Sequence, residues 1–105
     1  SEVVVDEALK FIARKVKAKQ PFFTVVWYGT PHSPWIAAPE DKGPFAKLTP
    51  KAQDHYGELV AMDRSIGTLR KGLRQLGVAD NTLVWFTSDN GGLPACPQPH
   101  ASGLF

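Results

Sequence analysis

Thr82-Leu-Val-Trp-Phe-Thr-Ser-Asp-Asn-Gly-Gly92 is an apolar, β-branched and aromatic run that stops abruptly in two oxygen-bearing side chains and two glycines. Leu83, Val84, Trp85 and Phe86 include no polar residue. Both faces of such a strand need cover, which is the pattern of parallel sheets. In open α/β sheets ligands sit beyond the carboxyl ends of the strands, where Asp89 and Asn90 fall. A carboxylate beside an amide carbonyl offers hard oxygens, suited to Ca²⁺ or Mg²⁺ rather than to a soft metal. Gly91 and Gly92 let the backbone turn away tightly. Asn-Gly is also a hairpin signal, but Leu93-Pro-Ala-Cys-Pro-Gln-Pro99 follows, and its three prolines cannot pair as a returning strand.

Working back from this run, Pro50 opens a long helix with Thr49 as N-cap and proline in the first turn. Tyr56, Leu59, Val60, Ile66, Leu69, Leu73 and Leu76 form its stripe, and Gly77 ends it. Gly57, Gly67 and Gly72 inside it each cost about 1 kcal/mol against alanine, which points to close approach of a neighbouring element. Phe22-Phe-Thr-Val-Val-Trp-Tyr28 is a second apolar run of high β propensity, preceded by Pro21. Before it, Val5, Ala8, Leu9, Ile12 and Val16 recur at helical spacing.

The elements expected are a helix over 2–19, a strand over 22–28, a site loop over 29–49, a helix over 50–76, a strand over 82–88, a metal-ligand turn over 89–92 and a tail over 93–105. This order predicts an α/β fold, part of a doubly wound sheet in which a helix precedes one βαβ unit with parallel strands and a right-handed crossover. Gly29-Thr-Pro-His-Ser-Pro-Trp35 leaves the first strand as a rigid turn. Parallel strands would therefore bring His32 and the Asp89-Asn90 pair to one rim.

The 105 residues bound one small domain, and 43% hydrophobic with 21% charged residues is an ordinary globular composition. Twelve basic against ten acidic residues give +2 without a long block of either sign. Lys10, Arg14, Lys15, Lys17 and Lys19 read as the solvated face of a helix rather than a nucleic-acid surface. No run approaches the roughly 18 apolar residues of a membrane span. One cysteine excludes an internal disulfide framework. The chain begins without methionine inside a helical pattern, and a piece of a larger domain is expected.

A histidine beside a divalent cation suits an anionic ester. The cation polarises a sulfuryl or phosphoryl oxygen, and imidazolium binds the anion or protonates the leaving oxygen. His55, on a helix flank, and His100, in a proline-rich tail, are expected to play no part. Asp63 falls on the stripe of Tyr56, Leu59, Val60 and Ile66, and a carboxylate in that seam needs donors nearby.

Thr30-Pro-His-Ser-Pro-Trp35, Tyr56-Gly-Glu-Leu-Val-Ala-Met-Asp63 with Ile66-Gly67, and Asp80-Asn-Thr-Leu-Val-Trp-Phe-Thr-Ser-Asp-Asn-Gly-Gly92 together resemble the middle of a type I sulfatase, within the alkaline-phosphatase superfamily. The resemblance implies that Asp89 and Asn90 are calcium ligands and that His32 contacts the substrate sulfate near the leaving oxygen. It also implies a formylglycine nucleophile, made from the cysteine of a Cys-x-Pro-x-Arg or Cys-x-Ala-x-Arg motif. Cys96-Pro-Gln-Pro-His100 is not that motif, so Cys96 is read as an unmodified thiol and the nucleophile is expected outside these residues. The family's early aspartate ligands and its sulfate-binding lysine are absent as well, and two of four protein ligands hold calcium poorly.

The expected protein is thus part of an arylsulfatase-like hydrolase of sugar or aryl sulfate esters. Its partner would be the rest of the catalytic domain, its location extracytoplasmic, and these residues alone would be inactive. A phosphodiesterase or phosphonate hydrolase of the same superfamily is the nearest alternative. A non-catalytic α/β interaction module is the third, since fold alone does not fix function.

Overall fold

The amphipathic pattern of the first residues forms α1, Glu2–Lys17. Its inward face is Val5, Ala8 and Ile12, all buried, and burying a valine or isoleucine side chain contributes about 1.5–3 kcal/mol. α1 ends in a Schellman arrangement: Lys19 N–H donates to Val16 O at 3.0 Å and Gln20 N–H to Lys15 O at 3.0 Å. Lys19 takes the left-handed conformation this closure requires, with φ 54°. The structure is a computed structural model that describes residues 1–90.

The scaffold is α3, Pro50–Gln75, with Pro50 in its first turn and Thr49 as N-cap accepting from Ala52 N–H. Its end repeats the closure of α1 with a glycine: Gly77, φ 70°, donates to Arg74 O at 3.0 Å, and Val78 donates to Leu73 O at 3.1 Å. α1 packs along α3, and the glycines mark the closest approaches. A β-carbon at Gly72 would run into the Leu9 side chain, and one at Gly57 would lie 2.6 Å from Ala37 Cβ, whereas Gly67 has nothing within 4 Å. Two of the three glycines thus stand where a neighbour presses on the helix. Between the long helices the chain runs without helix or ladder through 21–29, turns at 30–34, and passes through α2, Pro39–Lys42, and a 3₁₀ turn, Gly43–Phe45. A second 3₁₀ turn, Ala79–Asn81, follows α3.

The predicted sheet does not form. Among the described residues there are helices and 3₁₀ turns but no strand, so the doubly wound sheet and the βαβ unit with parallel strands are overturned. The α/β assignment gives way to helices joined by extended chain. The period of the strand signal is nonetheless present over 22–28. Phe22, Thr24, Val26 and Tyr28 are half-buried while Phe23, Val25 and Trp27 are exposed. Alternation of this kind defines an extended segment lying with one face on a support. A ladder needs a second chain at hydrogen-bonding distance as well, and β propensity does not supply one.

The second predicted strand is extended and bare from Leu83 onward. Tyr28 anchors the first: its hydroxyl lies 3.0 Å from Ser65 Oγ, which in turn donates to Met62 O at 2.7 Å. Ser65 is fully buried.

Asp63 also departs from expectation. It is exposed, because no described element covers its side of α3. The neighbouring Arg64 makes the ion pairs instead, to Asp41 of α2 and to Glu2 of α1.

Two measurements check this packing. Gly57→Ala should destabilise the chain by about 1–3 kcal/mol in urea melts through overpacking against Ala37. Gly67→Ala should stabilise it by up to about 1 kcal/mol, since only helix propensity changes. Trp27, Trp85 and Phe86 are 85%, 80% and 68% exposed, so the isolated 105-residue polypeptide should bind a hydrophobic dye and associate with rising concentration. A monodisperse, dye-free monomer would contradict that.

Candidate functional site

The loop after Tyr28 is folded by its own polar groups. His32 N–H donates to Gly29 O at 2.9 Å, and Trp35 Nε1–H donates to Pro31 O at 2.7 Å, closing the stretch that contains His32. His32 Nδ1 lies 2.6 Å from Ser33 O. A carbonyl only accepts, so Nδ1 carries the proton and Nε2 is left for an outside partner. The imidazole is exposed and shares the wall of an open depression with Thr30, Ser33 and Glu58.

From Trp35 onward the loop is held to α3. Trp35 meets His55 edge-on, with ring centroids 5.3 Å apart, and Lys51 Nζ sits over the indole, 4.9 Å from its ring centroid. Ile36 N–H donates to Glu58 Oε1 at 2.8 Å, and Ala37 N–H donates to Asp54 Oδ1 at 2.9 Å. Phe45 stacks on Tyr56 with centroids 5.2 Å apart. Asp54 also pairs with Lys42. The Ala37 amide, and after it the Lys42 ammonium, hold the Asp54 carboxyl below its usual range.

His55 was expected to be idle on a helix flank, and the structure buries it. Among the described residues it is the largest of the fully buried side chains, 1% exposed, and neither ring nitrogen has a hydrogen-bond partner there. Leaving such groups unsatisfied costs about 1–3 kcal/mol. Burial pushes the imidazole's pKa down, and the Glu58 charge opposes this without reversing it. The sequence held a signal, since His55 lies three residues from Ala52 and four from Leu59, on one helical stripe.

Asp89 and Asn90 are exposed at the far end of the second extended run. Asn90 Nδ2–H donates to Asp89 Oδ2 at 2.9 Å, and Ser88 Oγ–H donates to Asn90 O at 2.6 Å. The amide nitrogen faces the carboxylate, so Asp89 Oδ1 and Asn90 Oδ1 remain as acceptors. In kind these oxygens fit calcium; in number they fall short of its six to eight ligands. Among the described residues no group of three histidine, cysteine, aspartate or glutamate side chains is placed to hold a metal. The hydrogen bonds of His32 and those of the Asp89-Asn90 pair are local, and none joins the two. With the sheet gone, the parallel crossover that was to place them on one rim is gone too. Gly91, Gly92, Cys96 and His100 lie outside the described residues.

Comparison with known proteins places the chain in a family. The Sulfatase family model matches residues 1–98. Human N-acetylgalactosamine-6-sulfatase is 39% identical over 108 residues, covering 100% of this chain and 19% of that protein. The dog protein of the same name is 37% identical over 92 residues, covering 87% of this chain and 16% of its own length. An ulvan-active sulfatase of Formosa agariphila is 31% identical over 105 residues, covering 84% and 20%. The chain belongs to the sulfatase family, and it spans about a fifth or less of the length of these relatives. No solved structure matches it. Among the described residues no helix is long and apolar enough to cross a membrane.

The His55 burial has a measurable consequence. Its folded pKa lies below the ordinary value of 6.5, so in acid the unfolded chain takes up a proton that the folded chain refuses. The stability is therefore complete above about pH 6.5 and falls as the pH drops toward the folded pKa. His55→Phe keeps an aromatic ring against Trp35 and Tyr56. Urea melts at a series of pH values should show this variant losing less stability than wild type below about pH 6.5.

Proposed function

We propose that the protein is a sulfate-ester hydrolase in which residues 1–105 supply His32 to the substrate sulfate and Asp89 and Asn90 to a calcium ion. The observation that carries the reading is the Sulfatase match over residues 1–98, which takes in all three residues. The geometry of His32 supports it. With Nδ1–H committed to Ser33 O, it is the imidazolium form, which carries a second proton on the outward Nε2, that would donate to a sulfate oxygen or give that proton to the departing alkoxide as the S–O bond breaks.

Asp89 and Asn90 would hold the cation through their carboxylate and amide oxygens, in company with ligands beyond these residues. Bound there, calcium would offset charge on the sulfate and on the attacking group. The nucleophile, a formylglycine by family resemblance, is assigned to a part of the protein outside this chain. The substrate would be a sugar or aryl sulfate ester, hydrolysed to the alcohol and inorganic sulfate, and the location extracytoplasmic.

The test uses the full-length protein with an aryl sulfate and the matching aryl phosphodiester. Sulfate turnover should dominate, His32→Ala should lower kcat/KM by about 10²–10⁴-fold, and Asp89→Ala should weaken calcium dependence and activity together. Residues 1–105 expressed alone should show no turnover and at most weak calcium binding. Preferred hydrolysis of the phosphodiester, or turnover by the isolated chain, would sink the reading.

A further inference from the structure

Asp54 and Glu58 are four residues apart on α3, so their carboxylates stand one above the other on a single helix face. They accept from two successive amides of one loop, Ala37 N–H at 2.9 Å and Ile36 N–H at 2.8 Å. We propose that Asp54 and Glu58 form a clamp that fixes the His32 loop on α3, and that Glu58 is thereby a positioning residue for the sulfate-contacting His32. The inference rests on the reading of His32 given above.

The linkage from carboxylate to imidazole is short. Glu58 holds Ile36, the adjacent Trp35 returns its indole N–H to Pro31 O, and His32 sits inside that closure. Glu58 also lines the same depression as His32. The clamp has packing beneath it. Ala37 lies so close over Gly57 that a β-carbon there would be 2.6 Å from Ala37 Cβ, so the loop rests on the helix backbone itself. Lys42, at the end of α2, pairs with Asp54.

Every hydrogen bond described for His32 is to its own loop, to Gly29 O and Ser33 O. Its position relative to the rest of the protein is then set where the chain on either side meets α3: at Tyr28 before it, and after it at Trp35 on His55 and at the Ile36 and Ala37 amides. A misplacement of about 1 Å at a reacting group costs on the order of 10²-fold in rate, so losing one amide anchor should be visible in kinetics.

Glu58 makes this testable in an unusual way. Among the described residues it uses one oxygen, Oε1, while its buried Oε2 has no partner. Glutamine therefore keeps the hydrogen bond the carboxylate accepts from Ile36 N–H, and alanine removes it.

The experiment is a double-mutant cycle in the full-length protein, with an aryl sulfate as substrate and inorganic sulfate as competitive inhibitor. E58A should lower kcat/KM by about 10-fold or more and raise the sulfate inhibition constant, while E58Q stays within about threefold of wild type. In an H32A background E58A should add less than about twofold, because a residue that acts through His32 has nothing left to act on. Melting temperatures accompany each variant; if E58A yields no soluble enzyme, D54A makes the same test through the Ala37 amide. Full, multiplicative losses in the H32A background, or E58Q as impaired as E58A, overturn the clamp while leaving the function of His32 standing. An H32A enzyme with normal kinetics overturns both.

Discussion

An irregular loop has no ladder to take up its backbone amides, so each buried N–H must find an acceptor elsewhere. From Gly29 to Thr49 the chain meets that demand by leaning on α3. The helix offers carboxylates at Asp54 and Glu58, aromatic rings at His55 and Tyr56, and at Gly57 a strip of bare backbone on which the loop can lie. Arg64 extends the same support to Asp41 and, beyond it, to Glu2 on α1. The exposed pair with Glu2 contributes little, whereas Asp41 is itself buried, and both pairs point the same way as the aromatic contacts. The position of His32 is a property of α3 as much as of its own turn.

Both long helices were legible in the sequence to within two residues at their ends. Helical signals are local: a stripe with period 3.6, a proline at the start, a glycine where the backbone must turn left-handed. The sheet was misread because pairing is not local. The run from Phe22 to Tyr28 carries enough information to say that it is extended and which residues alternate. Nothing in it states that another strand lies alongside, and among the described residues none does. Asp63 failed for a related reason. Its place on the apolar stripe was read correctly, but a stripe is buried only where something covers it.

The site divides in the same manner. His32, Asp89 and Asn90 were singled out by residue type and by family likeness, both of which survive without a fold. Asp54 and Glu58 went unnoticed, since a carboxylate that accepts from the backbone of a loop some twenty positions earlier looks like any solvated helix charge. His55 was set aside as a flank residue, although its spacing from Ala52 and Leu59 placed it inward.

The contact between Tyr28 and Ser65 reaches further than one hydrogen bond suggests. In extended chain, side chains alternate strictly, so the segment behind Tyr28 has only two possible settings. Seating the Tyr28 hydroxyl at Ser65 Oγ selects between them, and Val26, Thr24 and Phe22 turn toward the helices as a set. Phe23, Val25 and Trp27 turn away as the complementary set. One phenol thereby fixes the parity of a seven-residue run, and a single inserted or deleted residue between Phe22 and Tyr28 would exchange its two faces on the side away from the anchor.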